Sequence, residues 1–152
     1  MTRAFLGLGT NLGDRHAELR RAVATLGDAG DLVAVSSLYE TSPVGGPPQD
    51  DFLNLVVELD TSSSPEELLA RCQELEVQAA RVRTVRFGPR SLDADVLWME
   101  DVTRSSEELT IPHPRMWDRR FVLAPLRELA PDLVSEEAER AAGGDVARMG
   151  TL

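Results

Sequence analysis

The chain has 152 residues, of which 42% are hydrophobic and 28% are charged, as expected for one soluble globular domain. Its 26 acidic and 16 basic residues give a formal charge of -10, which disfavours binding to nucleic acid or to an anionic membrane. Every basic residue is an arginine, so a Walker A loop, a protein-kinase strand lysine and Schiff-base catalysis are excluded. The lone Cys72, the lack of a signal peptide and the lack of a long apolar run predict a cytoplasmic protein.

The first third of the chain predicts two strands and a helix. An apolar run that ends at glycine predicts a strand over 4–9, and a β-branched run predicts another over 32–39. Asp14 is the expected N-cap of a helix between them, whose apolar stripe consists of Leu19, Ala22, Val23 and Leu26. The proline- and glycine-rich stretch 41–51 predicts a long loop of the functional kind.

The middle of the chain predicts a strand over 52–60, then a helix, then a strand over 92–99. Ser64 and Glu67 form a capping box around a proline at the first helical position, and the helix is expected to run to about Ala80. Its buried face is predicted to contain Leu68, Leu69, Cys72, Leu75 and Ala79, so that the cysteine is a packed core thiol.

The last third predicts a short strand over 109–111 and a helix over roughly 118–129. The tail from Ser135 has weak periodicity, so we expect it to be partly loose. The order β-α-β-β-α-β predicts an α+β fold with an antiparallel sheet and its helices on one side, a ferredoxin-like core. With the added pieces as flanking helices, the expected arrangement has three layers, α/β/α.

The most unusual local feature is an inversion of charge after the second predicted helix. Between Val77 and Leu92 there are four arginines and no acidic residue, namely Arg81, Arg83, Arg86 and Arg90. Guanidinium groups bind phosphate through two hydrogen bonds and keep their charge when they lose water, so this segment predicts an anion site. A solvated surface with a chance cluster of arginines is the alternative.

Two aspartates follow these arginines. Residues two apart on a strand share a face and lie roughly 6.5–7 Å apart along it, so Asp93 and Asp95 are expected to point the same way. Mg²⁺ commonly takes one or two carboxylates together with substrate phosphates. Joined to the arginine segment, the pair predicts a site for a metal-bound polyphosphate, and an exposed strand face is the alternative.

Three further signals are less specific. Gly7, Gly9 and Gly13 form GxGxxxG, whose last spacing differs from that of a dinucleotide-binding turn, and the order of elements disfavours a Rossmann unit. His113 lies between two prolines, which enforce an extended backbone; it suits either a plain turn or a phosphate contact near a cluster formed by Arg115, Arg119 and Arg120. Phe52, taken alone, suits a core position, as Phe121 does.

Five stretches of the chain, taken together, resemble one known family. In order, they are FLGLGTNLGDR, SSLYETSPVG, FLNLVVELDT, ELEVQAARVRTVRFGPRSLDADVL and LTIPHPRMWDRRFVLAPLRELAPDL. They resemble the 6-hydroxymethyl-7,8-dihydropterin pyrophosphokinase family over residues 4 to about 134, most specifically at GPRSLDAD, PHPRM and RRFVLAPL. The fold of that family is also a ferredoxin-like α+β fold.

The resemblance implies an ATP-dependent enzyme of folate biosynthesis that transfers pyrophosphate to the hydroxymethyl group of the pterin and releases AMP. By similarity, Asp93 and Asp95 hold two Mg²⁺ ions on the ATP phosphates, with Arg81 and Arg90 as further catalytic residues. The positions that match ATP-binding ones are Gln73, Glu76, Arg83, Arg86, Val96, Leu109, Thr110, His113 and Arg119. Those that match pterin-binding ones are Thr41, Ser42, Val44, Phe52, Asn54 and Phe121.

The pterin assignment agrees with the chemistry of the residues. A flat ring with a donor–acceptor edge suits two aromatic faces, Phe52 and Phe121, and one carboxamide, Asn54. This interpretation replaces the core position for both phenylalanines.

We expect one domain over 1–152, acting as a monomer on small molecules without nucleic-acid or membrane partners; the resemblance assigns no role to 135–152. A non-catalytic ferredoxin-like sensor that binds ATP but releases no AMP is the main alternative. An RNA-binding domain of similar fold requires exposed aromatic residues and a basic face, which the 5% aromatic content and the acidic balance disfavour. Pterin-dependent release of AMP distinguishes these classes.

Overall fold

The computed structural model describes residues 1–42, 50–82 and 92–152, with the backbone alone for 81 and 82. Within these ranges the strands are β1 (Thr2–Thr10), β2 (Leu32–Val35), β3 (Tyr39–Thr41), β4 (Phe52–Thr61), β5 (Asp93–Met99), β6 (Arg104–Ser105), β7 (Thr110–Ile111) and β8 (Val146–Arg148). The α-helices are α1 (Arg15–Asp28), α2 (Pro65–Val82), α3 (Arg120–Leu129) and α4 (Glu136–Ala141). A 3₁₀ helix, Met116–Asp118, precedes α3.

The described strands form an antiparallel sheet in the order β5-β1-β4-β3-β8, in which β2 and β3 pair with different halves of β4. The short strands β6 and β7 pair with each other in a second sheet. β1 lies between β4 and β5, and alternate residues along it enter two different cores. The antiparallel sheet with helices confirms the predicted α+β class.

Helices α1 and α2 pack on one face of the sheet, against the side of β1 that carries Leu6 and Leu8. Asp14 caps α1 by accepting a hydrogen bond from the Ala17 amide. The predicted capping box of α2 is confirmed, since Glu67 and Ser64 exchange hydrogen bonds of 2.8 and 3.1 Å. Both helices therefore begin where side chains satisfy their first amides.

Cys72 lies in the core beneath α2 with 1% exposure, which confirms the prediction of a packed thiol. Burial raises the pKa of Cys72 to about 12, so the thiol stays protonated at neutral pH.

Helix α3 packs on the opposite face, where Leu123 and Leu126 meet Phe5, Val56 and Leu97. The prediction of a helix over 118–129 is confirmed in type and position. The two helices predicted within the β-α-β-β-α-β core, α1 and α2, share one face, and the later helix α3 lies on the other. Its apolar stripe covers only part of the second face, and the remaining part forms the floor of a cavity.

Two local predictions are corrected by the structure. The predicted strand 32–39 is interrupted between β2 and β3, because the Ser36 hydroxyl accepts from the Val56 amide and Ser37 binds Glu128 instead of a neighbouring strand. The tail after Ser135 is not loose: it forms α4 and β8, and β8 extends the main sheet beside β3. None of the helices in the described ranges is long and apolar enough to cross a membrane.

Candidate active site

A cavity of about 530 Å³ lies on the face of the sheet that α3 covers in part. Strands β1, β4 and β5 form its floor, and the start of α3 forms one side. Many of the predicted site residues line this cavity, namely Thr41, Ser42, Phe52, Asn54, Asp93, Asp95, His113, Arg119 and Phe121. The cavity therefore unites predicted site residues that are up to 80 positions apart in the chain.

Gly7 and Gly9 of β1 have no side chains, so they leave open space above the floor of the cavity. Gly7 pairs with Asp95 on one side, and Gly9 lies between Asp93 on β5 and Asn54 on β4. A Cβ atom at Gly9 would lie 2.4 Å from Asn54 Oδ1, much closer than real Cβ contacts. Glycine at this position therefore leaves the space that the carboxamide occupies.

The two aspartates project from β5 toward the cavity, as the alternation along a strand predicts. Asp93 is half-buried and Asp95 is exposed, whereas Ala94 between them is buried in the core on the other face. In the part of the chain that the structure describes, no group of three or more acidic, histidine or cysteine side chains could hold a metal. Hard carboxylate oxygens fit Mg²⁺, which would then require further ligands from a bound phosphate.

Glu76 of α2 is hydrogen-bonded to the backbone of β5. Its Oε2 accepts a hydrogen bond of 3.0 Å from the Ala94 amide, between the two aspartates. Glu76 was predicted to contact nucleotide, and the structure gives its carboxylate a partner on the protein backbone. The other predicted ATP-binding residues that the structure describes but that do not line this cavity are Gln73, Val96, Leu109 and Thr110.

His113 and Arg119 line the same cavity as the aspartates, and His113 lies close enough to Asp95 and Arg119 for both charges to act on its pKa. The His113 amide donates to the Leu97 carbonyl at 2.8 Å, which fixes the residue along the outer edge of β5. Its Nδ1 accepts from the Arg115 amide at 3.2 Å. Loss of solvent lowers the pKa of His113, and the charges of Arg119 and Arg115 lower it further against the opposing effect of Asp95. The ring is thus held neutral, with Nε2 as its donor.

The other end of the cavity suits a flat, polar ring. Phe52 enters from the start of β4 and Phe121 from the first turn of α3, and both are half-buried. Asn54 is 7% exposed and donates to the Tyr39 carbonyl at 3.4 Å. The Arg119 guanidinium lies over the Phe121 ring, 5.6 Å from its centroid. Arg119 therefore connects the aromatic side chains of the cavity with its charged ones.

Some residues of the cavity were not predicted from the sequence. Gly7 and Gly9 stood out in the sequence, although as an imperfect dinucleotide motif. Other cavity residues carried no local signal, namely Leu8, Leu55, Val56, Leu97, Asp118, Val122, Gly143 and Gly144. The two C-terminal glycines belong to the segment that was expected to be loose, so only the folded structure brings them to the site.

Several predicted residues lie outside the described ranges. They are Val44, Arg83, Arg86 and Arg90, together with the side chain of Arg81. Their predicted roles at the phosphates and at the pterin stay predictions.

The fold and the cavity define a class of enzyme. The paired carboxylates suit a divalent cation, and the arginine and the histidine N–H beside them suit the phosphate groups that such a cation accompanies. Two aromatic side chains and a buried carboxamide, in the same cavity, fit a flat heterocycle. The cavity therefore suits a protein that brings a phosphate-bearing ligand and a flat heterocycle together.

Comparison with known proteins identifies the family. Residues 5–131 match the model of the 7,8-dihydro-6-hydroxymethylpterin-pyrophosphokinase (HPPK) family. The chain is 47% identical over 135 residues to the 2-amino-4-hydroxy-6-hydroxymethyldihydropteridine pyrophosphokinase of Bacillus subtilis, covering 88% of this chain and 81% of that protein. It is 48% identical to the protein of the same name from Methylorubrum extorquens, covering 88% and 86%. The chain belongs to the HPPK family.

A solved structure supports the fold independently. Wild-type HPPK-DHPS from Plasmodium falciparum matches with a TM-score of 0.61 at 17% identity, over 86% of this chain. This chain spans 38% of that longer chain, and at such low identity the match concerns the fold alone.

Proposed function

We propose that the cavity over Gly7 and Gly9 is the place where this chain carries out the reaction of its family. The chain is a pyrophosphokinase: it transfers pyrophosphate from ATP to the hydroxymethyl group of 6-hydroxymethyl-7,8-dihydropterin in folate biosynthesis, and AMP is released. The observation that carries the assignment of the site is the meeting of Asp93 and Asp95 with Phe52, Asn54 and Phe121 around one cavity.

The acceptor occupies the aromatic end. The pterin ring lies between Phe52 and Phe121, and Asn54 pairs with its polar edge through the carboxamide. Thr41 and Ser42, at the end of β3, complete this end of the cavity. The ring is thereby oriented so that its hydroxymethyl group faces the aspartates.

The donor phosphates occupy the other end. Asp93 and Asp95 would hold Mg²⁺, two ions by the family resemblance, and carboxylate pairs of this kind suit that ion. When bound, Mg²⁺ supplies neutralisation of charge on the phosphate oxygens. His113 donates from Nε2 and Arg119 from its guanidinium to the same phosphates, and Arg81, Arg83, Arg86 and Arg90 add the arginines of the predicted anion site.

The chemistry asks mainly for positioning. The hydroxymethyl oxygen attacks the β-phosphorus of ATP in line with the leaving AMP, so that the bond between the α- and β-phosphates breaks as the new P–O bond forms. Holding the donor phosphates and the pterin in one cavity of about 530 Å³ supplies the orientation that this step needs. The hydroxyl proton is released to water, so the step converts the alcohol and ATP into the pterin diphosphate, AMP and one proton.

The finer description of the molecule is also a proposal. We take the α+β core to be ferredoxin-like with three layers, and 1–152 to be a single domain. The protein acts as a cytoplasmic monomer, on small molecules rather than on nucleic acid.

The site is tested by replacing one carboxylate. Asp95→Asn keeps the shape of the side chain and removes its charge, so Mg²⁺ would be held more weakly and the phosphate charge would be less neutralised. We therefore expect AMP formation to fall by about 10³-fold or more while the fold is retained. Asp60→Asn, on the exposed end of β4, is the matched control and should keep the wild-type rate. A near-normal rate for Asp95→Asn would overturn the assignment of the phosphate end.

A further inference from the structure

The segment after α4 lies beyond residues 5–131 that match the family model, yet it reaches the cavity. Gly143 and Gly144 line the cavity together with Thr41 and Phe121. Gly144 has a φ of +103°, a conformation that side-chain-bearing residues rarely adopt. Gly144 therefore forms a turn at the point where the C-terminal segment reaches the cavity.

One end of this segment is fixed to the start of α3. The Gly143 amide donates to the Asp118 carbonyl at 3.0 Å, and the Arg120 amide donates to the Gly143 carbonyl at 3.1 Å. The Arg120 side chain donates to the carbonyls of Glu139 and Arg140 at 3.2 and 2.7 Å. These contacts join the segment to the residues that flank Arg119 and Phe121.

The other end is fixed to β3. Strand β8 pairs with β3 in antiparallel register, with Thr41 opposite Val146. The Thr41 hydroxyl donates to the Asp145 carbonyl at 3.0 Å. Beyond the strand, the Leu38 carbonyl accepts from the Met149 amide and the Leu38 amide donates to the Gly150 carbonyl, both at 2.7 Å. The C-terminal strand therefore holds the strand that ends at Thr41 and Ser42.

A polar cluster secures this pairing. Arg148 donates through Nε and Nη2 to the Ser37 hydroxyl at 3.0 and 2.8 Å. The Ser37 hydroxyl in turn donates to Glu128 of α3 at 2.9 Å, and the Tyr39 hydroxyl donates to the same carboxylate at 2.7 Å. Burial raises the pKa of Glu128, but these hydrogen bonds lower it by more, so that the pKa lies below its usual value. The cluster thus joins β8, β3 and α3 through one ionised carboxylate.

We propose that residues 143–145 form a wall of the pterin end of the cavity, and that β8 is a positioning element that holds this wall and Thr41 in place. The wall lies between two elements that it touches on either side, the end of β3 and the start of α3. Because those elements carry Thr41, Ser42 and Phe121, loss of the wall loosens the acceptor end. The inference rests on the proposed function for the identity of the acceptor as a pterin.

The test undocks β8 without changing a residue that lines the cavity. Ala147 is exposed and pairs with Glu40 of β3. Ala147→Pro removes an amide hydrogen and places a proline ring in the paired strand, whereas Ala147→Ser keeps the backbone and serves as the matched control. We expect the proline variant to raise the KM for the pterin about fivefold or more, with the KM for ATP within about twofold of wild type, since the loss of one or two hydrogen bonds is of this size.

Hydrogen exchange gives the second readout. Undocking should speed exchange at the Leu38 amide, which now donates to Gly150, while exchange in α2 stays unchanged. If exchange at Leu38 rises and the KM for the pterin stays at the wild-type value, the proposal is wrong. Equal increases in both KM values would also overturn it, since they indicate general loosening.

Two further arms keep the result interpretable. If Ala147→Pro fails to fold, Arg148→Leu breaks the anchor at Ser37 without altering the backbone, and the same shift in pterin KM is expected from it. Equilibrium binding of the pterin to the wild-type chain and to both variants measures how the wall affects pterin affinity, independently of turnover. If the wild-type chain binds the pterin more tightly than Ala147→Pro does but forms no AMP, the proposed function is refuted and the proposal of a wall still stands.

Discussion

Gly9 and Asn54 are paired across β1 and β4, and a Cβ atom on Gly9 would lie 2.4 Å from the Asn54 side-chain oxygen. The missing side chain of one residue thus defines where the carboxamide of the other lies. Since Asn54 is almost buried and lines the cavity beside Asp93, this pair couples the glycine-rich start of the chain to the place proposed for the acceptor ring.

Gly9→Ala is expected to impair the acceptor end more than the fold. The atom that it meets is the far end of a side chain, so Asn54 turns away and the stability loss is about 1 kcal/mol, at the low end for an added methyl group. The displaced carboxamide no longer matches the pterin edge, and we expect the KM for the pterin to rise about tenfold. Steady-state kinetics and urea unfolding measure the two effects separately.

Gly27→Ala is the matched control for this substitution. Gly27 lies in the last turn of α1, where an added Cβ would make an ordinary contact of 3.6 Å with Leu32. We expect unchanged kinetics and a gain of about 0.5–1 kcal/mol in stability from the helix. A normal pterin KM for Gly9→Ala would show that Asn54 does not depend on the space above Gly9.

Glu76 is expected to act on the aspartates through the backbone. Glu76→Ala removes the acceptor of the Ala94 amide, so the strand between Asp93 and Asp95 loses a support, and AMP formation should fall about 10- to 100-fold, as for other residues that orient metal ligands. Glu76→Gln keeps an acceptor oxygen and should restore most of the rate. A Gln variant as poor as the Ala variant would instead indicate that the negative charge is what matters.

Glu74→Ala provides the comparison on the same helix, because Glu74 is exposed and binds Gln78 one turn further on. Its rate of AMP formation should equal that of the wild type. A similar loss in both Ala variants would mean that α2 as a whole, rather than the contact with Ala94, determines the rate.

His113 is expected to make stability depend on pH. Its pKa is lowered in the folded state, chiefly by burial, so below the usual value of 6.5 the unfolded chain binds a proton that the folded chain resists. The stabilisation is complete above pH 6.5 and is lost as the pH falls toward the lowered pKa. His113→Gln should therefore show a smaller loss of unfolding free energy than the wild type between pH 7.5 and about 5.5.

Urea unfolding of both proteins at the two pH values measures this difference. The carboxylates titrate in both proteins, so their effect cancels in the comparison. Identical pH dependence in the wild type and in His113→Gln would contradict the neutral histidine that the hydrogen bond from the Arg115 amide to Nδ1 requires.

The sequence predicted best what is decided within a few residues. The capping box at Ser64 and the shared face of Asp93 and Asp95 depend on local spacing, and both are found in the structure. The break between β2 and β3 was missed because Ser37 is satisfied by Glu128, 91 positions away. Strand β8 was missed for the same reason: its three residues have no pattern of their own and depend on β3 for pairing.

The residues of the site also divide into those that local sequence predicts and those that only long-range contacts bring together. Its charged and aromatic residues were recognisable as residue types in a family pattern, whereas Gly143 and Gly144 reach the cavity only through long-range contacts with Asp118 and Arg120. The glycines of β1 were noticed, but their role as a low floor depends on the neighbouring strand, which places Asn54 above Gly9.

The most direct test of the account is the release of AMP by the wild-type chain from ATP and Mg²⁺, with and without 6-hydroxymethyl-7,8-dihydropterin. The account predicts AMP only when the pterin is present, one equivalent for each pterin diphosphate formed, and none after chelation of the metal. Tight binding of ATP with no AMP, or AMP release that does not depend on the pterin, would contradict it.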